Sequence, residues 1–421
     1  MGKPEHRDRD ASAIGHRPSA IRSTDHEPRT TDHGPRTTDH GPRTTDLGIY
    51  VHIPFCSSIC NYCNFNRGLY DGPLKTQYVD ALLKEIRARQ GCSGSGMPAD
   101  TIFFGGGTPS LLDPGDVAAI IGSIRDRFAV DPDSEITLET NPETVDRERL
   151  EHFRAAGVNR VSFGVQSFQD NELRRLGRIH SAERARHVVR DARAAGFDNI
   201  SLDLMMWLPG QSVSTWLANV DALIGVEPDH ASLYLLELYP NAPLKDEMAR
   251  AGWSLAPDED AAEMYLRAMD RLERTGLTQY EISNVARPGR ESRHNLKYWT
   301  DGEWLGFGCG AHSTFAAARW KNVASTVEYI ERANRGTDLV TERRELSPQD
   351  RLEEALFTGL RLNRGVDLAV INARYAVDVM TRYGHALRPF VESGWLVLDD
   401  QQLRLTREGM LMANEVMAVF V

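Results

Sequence analysis

Apolar positions recur along this chain in two rhythms. From residue 47 onward, six short runs rich in β-branched or aromatic residues predict strands at 48–53, 101–104, 135–139, 160–164, 200–205 and 232–236. Between and after them, apolar residues spaced by three and four predict helices at 74–89, 114–128, 146–156, 181–195, 214–224 and 257–275. Asp113-Pro114 and Asp146 read as helix starts, and Gly157, Gly196 and Gly276 as stops. Six βα units in series predict a parallel sheet with right-handed crossovers, either open and doubly wound or curled into a partial barrel. In both, ligands gather beyond the carboxyl ends of the strands.

The two ends of the chain read differently. Residues 1–46 carry a heptapeptide, Arg29-Thr-Thr-Asp-His-Gly-Pro, repeated at Arg36 and in degraded form at Arg43. It offers no apolar pair to bury and contains Gly-Pro, so it is expected to be a disordered low-complexity tail. Residues 47–285 are expected to form the βα core, and 286–344 a connecting segment. Residues 345–421 read as a small separate domain: a helix starting at Ser347-Pro348, further helices, a hairpin over 395–398 and 403–406, and a last helix. Helices followed by a wing-like hairpin predict a winged-helix-like module. It holds eight Arg, no Lys and eleven Asp or Glu, a net charge of −3, which argues against DNA contact and for a packing role.

Composition narrows the class. Hydrophobic residues make up 41% and charged residues 26%, enough for a sizeable core. The net charge of −11 excludes a broad nucleic-acid footprint. No apolar run is long enough to span a bilayer and no signal peptide opens the chain, so a cytoplasmic location is expected. Five cysteines in 421 residues make no disulfide framework.

Three of those cysteines stand together after the first strand, as Cys56-Ser-Ser-Ile-Cys60-Asn-Tyr-Cys63. Iron–sulfur clusters take four cysteines as a rule. Three thiolates at this spacing wrap three corners of a [4Fe–4S] cubane and leave one iron open, which the amino and carboxylate groups of S-adenosylmethionine (SAM) can chelate. The competing reading is a structural zinc with His52 recruited as the fourth ligand.

Further motifs follow the strands. Gly105-Gly106-Gly107-Thr108 succeeds the second strand and offers bare backbone N–H groups to a carboxylate. Glu139 ends the third strand, Gln166 follows the fourth, and Arg178 lies a dozen residues beyond. Asp203 stands in an otherwise apolar strand, where an acid is costly unless satisfied. It is read either as a core Asp holding a neighbour or as a contact to an adenosine. His294, in Arg293-His-Asn-Leu-Lys-Tyr-Trp299, suits either the edge of a flat apolar ligand or aromatic packing. Gly306-Phe-Gly-Cys309-Gly-Ala-His312-Ser313 reads as a tight packing turn, and Cys92 as a linker residue without a role.

The cysteine spacing, with an aromatic before its last Cys, resembles the signature of the radical-SAM superfamily. Tyr50-Val-His-Ile-Pro-Phe-Cys56 is similar to its oxygen-independent coproporphyrinogen III oxidases and HemW-type heme chaperones. The resemblance runs from about residue 47 to the end. It implies an α/β fold, a partial (β/α)6 radical-SAM barrel with a small C-terminal winged-helix-like domain. It also implies that Cys56, Cys60 and Cys63 hold the cluster, and that Tyr50, Gly106, Gly107, Thr108, Glu139, Gln166, Arg178 and Asp203 contact SAM. His294 matches the His of an H-N-x-x-Y-W segment tied to heme in the HemW type. The oxidases extend the cysteine motif by x-C, and Phe65 stands there in this chain. Two readings follow. One is a heme chaperone that binds heme and passes it to a recipient protein, membrane heme enzymes included. The other is an oxygen-independent coproporphyrinogen III oxidase acting by radical oxidative decarboxylation. Both need an electron donor for the cluster, and neither needs nucleic acid.

Overall fold

A computed structural model describes residues 46–89, 97–240 and 242–421. The repeat expected to be disordered lies outside the described residues apart from Asp46, and so does Cys92. The six predicted strands all form: Leu47–Ile53, Pro98–Gly106, Ala129–Thr140, Arg160–Gln166, Ile200–Met206 and His230–Leu235. They lie side by side in chain order, each parallel to the next. Helices Gly72–Ala88, Pro114–Arg125, Arg147–Ala155, Ala182–Ala194 and Val213–Gly225 cross between them, and Asp258–Glu273 follows the sixth strand. Asp113 and Asp146 start helices as expected, Asp146 by accepting the Arg149 N–H at 2.8 Å.

The register sorts these strands into two faces. Ile49, Val51, Ile102, Phe104, Ile136, Leu138, Val161, Phe163, Ile200 and Leu202 are sealed in the core, on the side that carries the helices. The alternate residues stand opposite one another on the other face: Tyr50 beside Phe103, Glu139 beside Ser162, Asp203 beside Ser232. Strict alternation thus makes an apolar outer face and a polar lumen from the same six segments.

The segment expected to connect two domains is instead part of the sheet. Trp304–Phe307 adds parallel to the first strand, and His312–Phe315, Ala318–Asn322 and Val340–Glu345 continue antiparallel beyond it. At the other edge Asn284–Ala286 and Thr278–Glu281 add antiparallel to the sixth strand. Among the described residues the sheet has twelve strands and ends in two edges. It is a partial barrel extended on both sides.

The last stretch folds as three helices, Pro348–Gly359, Leu368–Tyr375 and Val379–Glu392, followed by the hairpin Leu396–Asp399 and Gln402–Leu405. Ser347 and Asp350 close the first helix with a capping box. The module is seated on the barrel through polar pairs: Arg319 grips Glu354 with two nitrogens at 2.9 and 2.8 Å, and Arg361 reaches Glu281 at 3.1 Å. Among the described residues no helix is long and apolar enough to cross a membrane.

Candidate functional site

The first strand delivers the cysteine loop directly. After Pro54, Phe55 and Cys56 pair with Gly68 and Leu69, which closes the loop at its base. Within it the Cys63 N–H bonds the Cys60 carbonyl at 3.3 Å. All three cysteines are free thiols, Cys56 buried and the other two half-buried. Burial raises the Cys56 thiol above its ordinary value, and a hydrogen bond with Thr108 works against that shift.

The glycine loop is shaped to fit beneath the cysteines. The Gly107 N–H donates to the Ile53 carbonyl at 2.8 Å and Thr108 N–H to the Phe55 carbonyl at 2.7 Å. A Cβ on Gly107 would lie 2.6 Å from the Phe55 oxygen and 3.0 Å from Cys56 Sγ, so only glycine leaves this approach open. Gly106 has φ +117° and presses its backbone on the His52 ring, while its N–H donates to Glu139 Oε2 at 3.1 Å.

Around this loop Glu139 and Gln166 stand at the carboxyl ends of their strands, and Tyr50 and Asp203 at the middle of theirs. Glu139 faces the lumen, where burial together with the Asp203 carboxylate pushes its pKa up to about 8. Burial pushes Asp203 up to about 6, and Ser162 Oγ donates to it at 3.3 Å. Gln166 adopts φ +67°, a strained value for a residue with a side chain, and its buried Oε1 has no partner. Arg178 ties the parts together: it donates to Cys60 Sγ at 3.4 Å, to Asn141 Oδ1 at 2.7 Å and to the Gly164 carbonyl at 2.6 Å.

These features fit the cofactors that the cysteine motif implies. Three free thiols on one loop suit three corners of a cubane. Among the described residues no three His, Cys, Asp or Glu side chains gather as ligands of a single ion, whereas cubane thiolates each address a different iron. His52 is not available to zinc, because both ring nitrogens are engaged. Burial lowers its pKa, so the ring is neutral. The Asn66 carbonyl can only accept, which places the proton on Nε2, 2.8 Å away. Nδ1 then accepts the Tyr50 hydroxyl at 3.1 Å. The orphaned Gln166 Oε1 and the lumen carboxylates suit a cationic ligand bearing hydroxyls.

His294 lies elsewhere. It opens the helix Arg293–Trp299, which plugs the amino-terminal end of the barrel. Glu135 accepts the backbone N–H groups of Arg293 and His294, both at 3.2 Å, and Lys297 pairs with Asp100 at 2.5 Å. The imidazole is 1% exposed and stacks on Phe103 at 5.1 Å between centroids. Its Nδ1 meets Thr101 Oγ1 at 2.8 Å and its Nε2 meets Tyr298 Oη at 2.9 Å. Burial lowers its pKa to about 3. In this arrangement both ring nitrogens are hydrogen-bonded and the ring is sealed. Thr101 and Gly106 lie on one strand, five residues and roughly 16 Å apart, so plug and cysteine loop are at opposite ends, with Tyr50 between them and its ring 6.4 Å from that of His294.

Sequence reading passed over three residues that the geometry makes central: His52 as a hub, Asn66, and Asn141. Asn141 follows the third strand immediately, and its Nδ2 donates to Thr108 Oγ1 at 3.1 Å. Its place beyond a strand's carboxyl end was the available signal.

The Radical SAM superfamily pattern matches residues 50–223 and the HemN C-terminal domain pattern residues 346–412. The structure superimposes on the coproporphyrinogen III oxidase of Escherichia coli with a TM-score of 0.79, covering 89% of this chain and 90% of that one. At 23% identity this likeness speaks for the fold. Fold and site therefore define a radical-SAM protein, a class that carries a [4Fe–4S] cluster and SAM.

Heme chaperone HemW of Bacillus subtilis is 35% identical over 88% of this chain and 98% of its own length. Its namesake in Escherichia coli is 32% identical over 89% and 98%. A mitochondrial radical S-adenosyl methionine domain-containing protein 1 of Bos taurus is 35% identical over 88% of this chain and 85% of its own. The chain belongs to the HemW family of heme-related radical-SAM proteins.

Proposed function

We propose that this protein binds heme at the rim of its cluster site and hands it to a recipient protein. The observation that carries this reading is similarity to heme chaperones over 88% of the chain, joined to an exposed apolar rim around the cysteine loop. Phe65 and Leu69 belong to that loop and are 65% and 62% exposed. Ile179, 58% exposed, follows the Arg178 that reaches Cys60. Large apolar side chains held in water beside a site mark a surface for an apolar ligand. A shallow rim also suits a carrier, which must release what it binds. Heme in this reading is cargo.

In the same reading Cys56, Cys60 and Cys63 hold the cluster. Gly106, Gly107 and Thr108 receive the methionine end of SAM. Tyr50, Glu139, Gln166, Arg178 and Asp203 line its remainder. Cluster and SAM together supply one-electron chemistry when an external donor provides the electron. The chain's own residues hold the parts in place: Arg178 orients the Cys60 side of the loop, and His52 fixes the Tyr50 hydroxyl. Glu139 and Asp203 present carboxylates to a sulfonium. A reducing, cytoplasmic compartment suits the free thiols. Phe65, at the position of the oxidases' extra cysteine, speaks against the oxidase alternative.

The test is an anaerobic heme titration followed by absorbance, on wild type and on Phe65→Asp/Leu69→Asp, with transfer to an apo-acceptor on the same preparation. Heme binding should weaken by about tenfold or more with the cluster spectrum unchanged. Unaltered heme affinity would sink the rim. Conversion of coproporphyrinogen III to protoporphyrinogen IX by the wild type would replace the chaperone reading with the oxidase one.

A further inference from the structure

The glycine-rich turn 306–313 takes no part in the function proposed above, yet it touches the cysteine loop from behind. Asn66, three residues after Cys63, donates Nδ2 to the Cys309 carbonyl of the turn at 3.1 Å and to the Ala324 carbonyl, just past strand Ala318–Asn322, at 3.0 Å. These partners are 243 and 258 residues away along the chain. The Asn66 carbonyl accepts from His52 Nε2 at 2.8 Å, and His52 in turn holds the Tyr50 hydroxyl. One residue thus links the turn, the cysteine loop and the tyrosine of the first strand.

The turn is built to receive that amide. Gly310 has φ +70°, and a Cβ there would collide with Asn66 Nδ2, so the position is open only to glycine. Behind it, Glu85 accepts the Gly308 N–H at 2.8 Å, Asn322 Nδ2 at 2.7 Å and the Tyr329 hydroxyl at 2.5 Å. Tyr78 accepts the Cys309 N–H at 3.1 Å and donates to the His52 carbonyl at 2.7 Å. Glu85 and Tyr78 both come from helix Gly72–Ala88, which follows the cysteine loop in the chain. The turn is therefore fixed from below by a buried polar network and from its ends by the sheet.

We propose that Asn66 and the turn 306–313 form a latch that positions the cysteine loop for its cluster. Asn66 acts as a positioning residue, and the proposal rests on the reading that Cys56, Cys60 and Cys63 are the cluster ligands. A loop that carries three thiolates must hold them at fixed separations before iron arrives, or the ordering cost falls on cluster assembly. The latch meets that cost in the folded chain. Cys309 enters chiefly through its backbone carbonyl; its buried thiol lies 3.7 Å from Asn66 Nδ2 and 3.6 Å from Thr326 Oγ1 and has no ligand role here.

The test uses the full-length chain, reconstituted anaerobically, and reads iron per chain, the rate of iron loss to a chelator, and the spin-resonance signal of the reduced cluster before and after SAM is added. Asn66→Asp keeps the shape but turns two donors into acceptors facing two carbonyls. It should speed iron loss about tenfold and broaden the reduced-cluster signal, while the iron-free protein stays folded at the assay temperature with its melting point lowered by the lost hydrogen bonds. Gly310→Ala attacks the same contact from the other side and should speed iron loss likewise, with a further fall in melting point because alanine is strained at φ +70°. The double variant Asn66→Ala/Gly310→Ala should lose iron no faster than Asn66→Ala alone, because the smaller side chain vacates the space the new Cβ needs. Wild-type iron retention in both single variants, or additive losses in the double, would overturn the latch. A Cys56→Ser/Cys60→Ser/Cys63→Ser chain that still assembled a [4Fe–4S] cluster would overturn the ligand reading on which it rests.

Discussion

His294 Nδ1 lies 2.8 Å from Thr101 Oγ1, and this contact fastens the plug helix to the lumen face of the second strand. Its other nitrogen is closed by Tyr298 at 2.9 Å. A histidine held in this way supports the barrel from below.

His294→Ala should accordingly act on stability. It leaves a cavity and orphans two hydroxyls, costing about 2–4 kcal/mol in denaturant unfolding. Heme affinity of the folded fraction should stay at the wild-type level. Selective loss of heme binding with unchanged unfolding would assign the ring to the heme instead.

Gly107→Ala should block cluster assembly without unfolding the barrel. The new Cβ would meet backbone oxygen at 2.6 Å, and neither Phe55 nor its neighbour Cys56 can retreat. Iron and sulfide analysis after reconstitution should find a small fraction of the wild-type content, with circular dichroism unaltered.

Glu139 gives the protein a pH signature. Its folded pKa of about 8 lies above the roughly 4.3 of an unfolded Glu, so the folded state binds more protons between those values. Its contribution to the stability of the cofactor-free protein is present at low pH and is lost as pH rises through about 8. A cationic sulfonium favours the carboxylate form, so SAM affinity should rise over the same range. Glu139→Gln should flatten part of the stability decline, measured by thermal melts from about pH 5.5 to 8.5. It should weaken SAM about tenfold, the equivalent of one pKa unit. Glu85, raised to about 7 by burial, keeps a residual slope in the variant.

Arg178→Lys should be as damaging as Arg178→Met. The guanidinium serves a thiol, an amide oxygen and a backbone carbonyl at once, which an ammonium cannot span. Equilibrium binding should show SAM affinity reduced about tenfold or more in both variants. Full rescue by lysine would mean that charge alone matters.

The sequence by itself determined the parts whose causes are local. Six apolar runs and the helices between them set the βα series, because period and capping act within a few residues. Cysteine spacing gave the proposed cluster loop, and strand ends pointed to Glu139 and Gln166 as candidates. The alternation Glu135-Ile-Thr-Leu-Glu139 already contained the polar lumen, since in a strand every second side chain shares a face. Only the tertiary structure decided the rest. The glycine-rich segment joins the first strand across more than 250 residues, the plug seals His294 away from solvent, and Asn66 finds its two carbonyls on the far side of the chain. Such pairings depend on loop closure and on which surfaces remain open once the barrel has curled. The residues concerned carry no local pattern that could announce it.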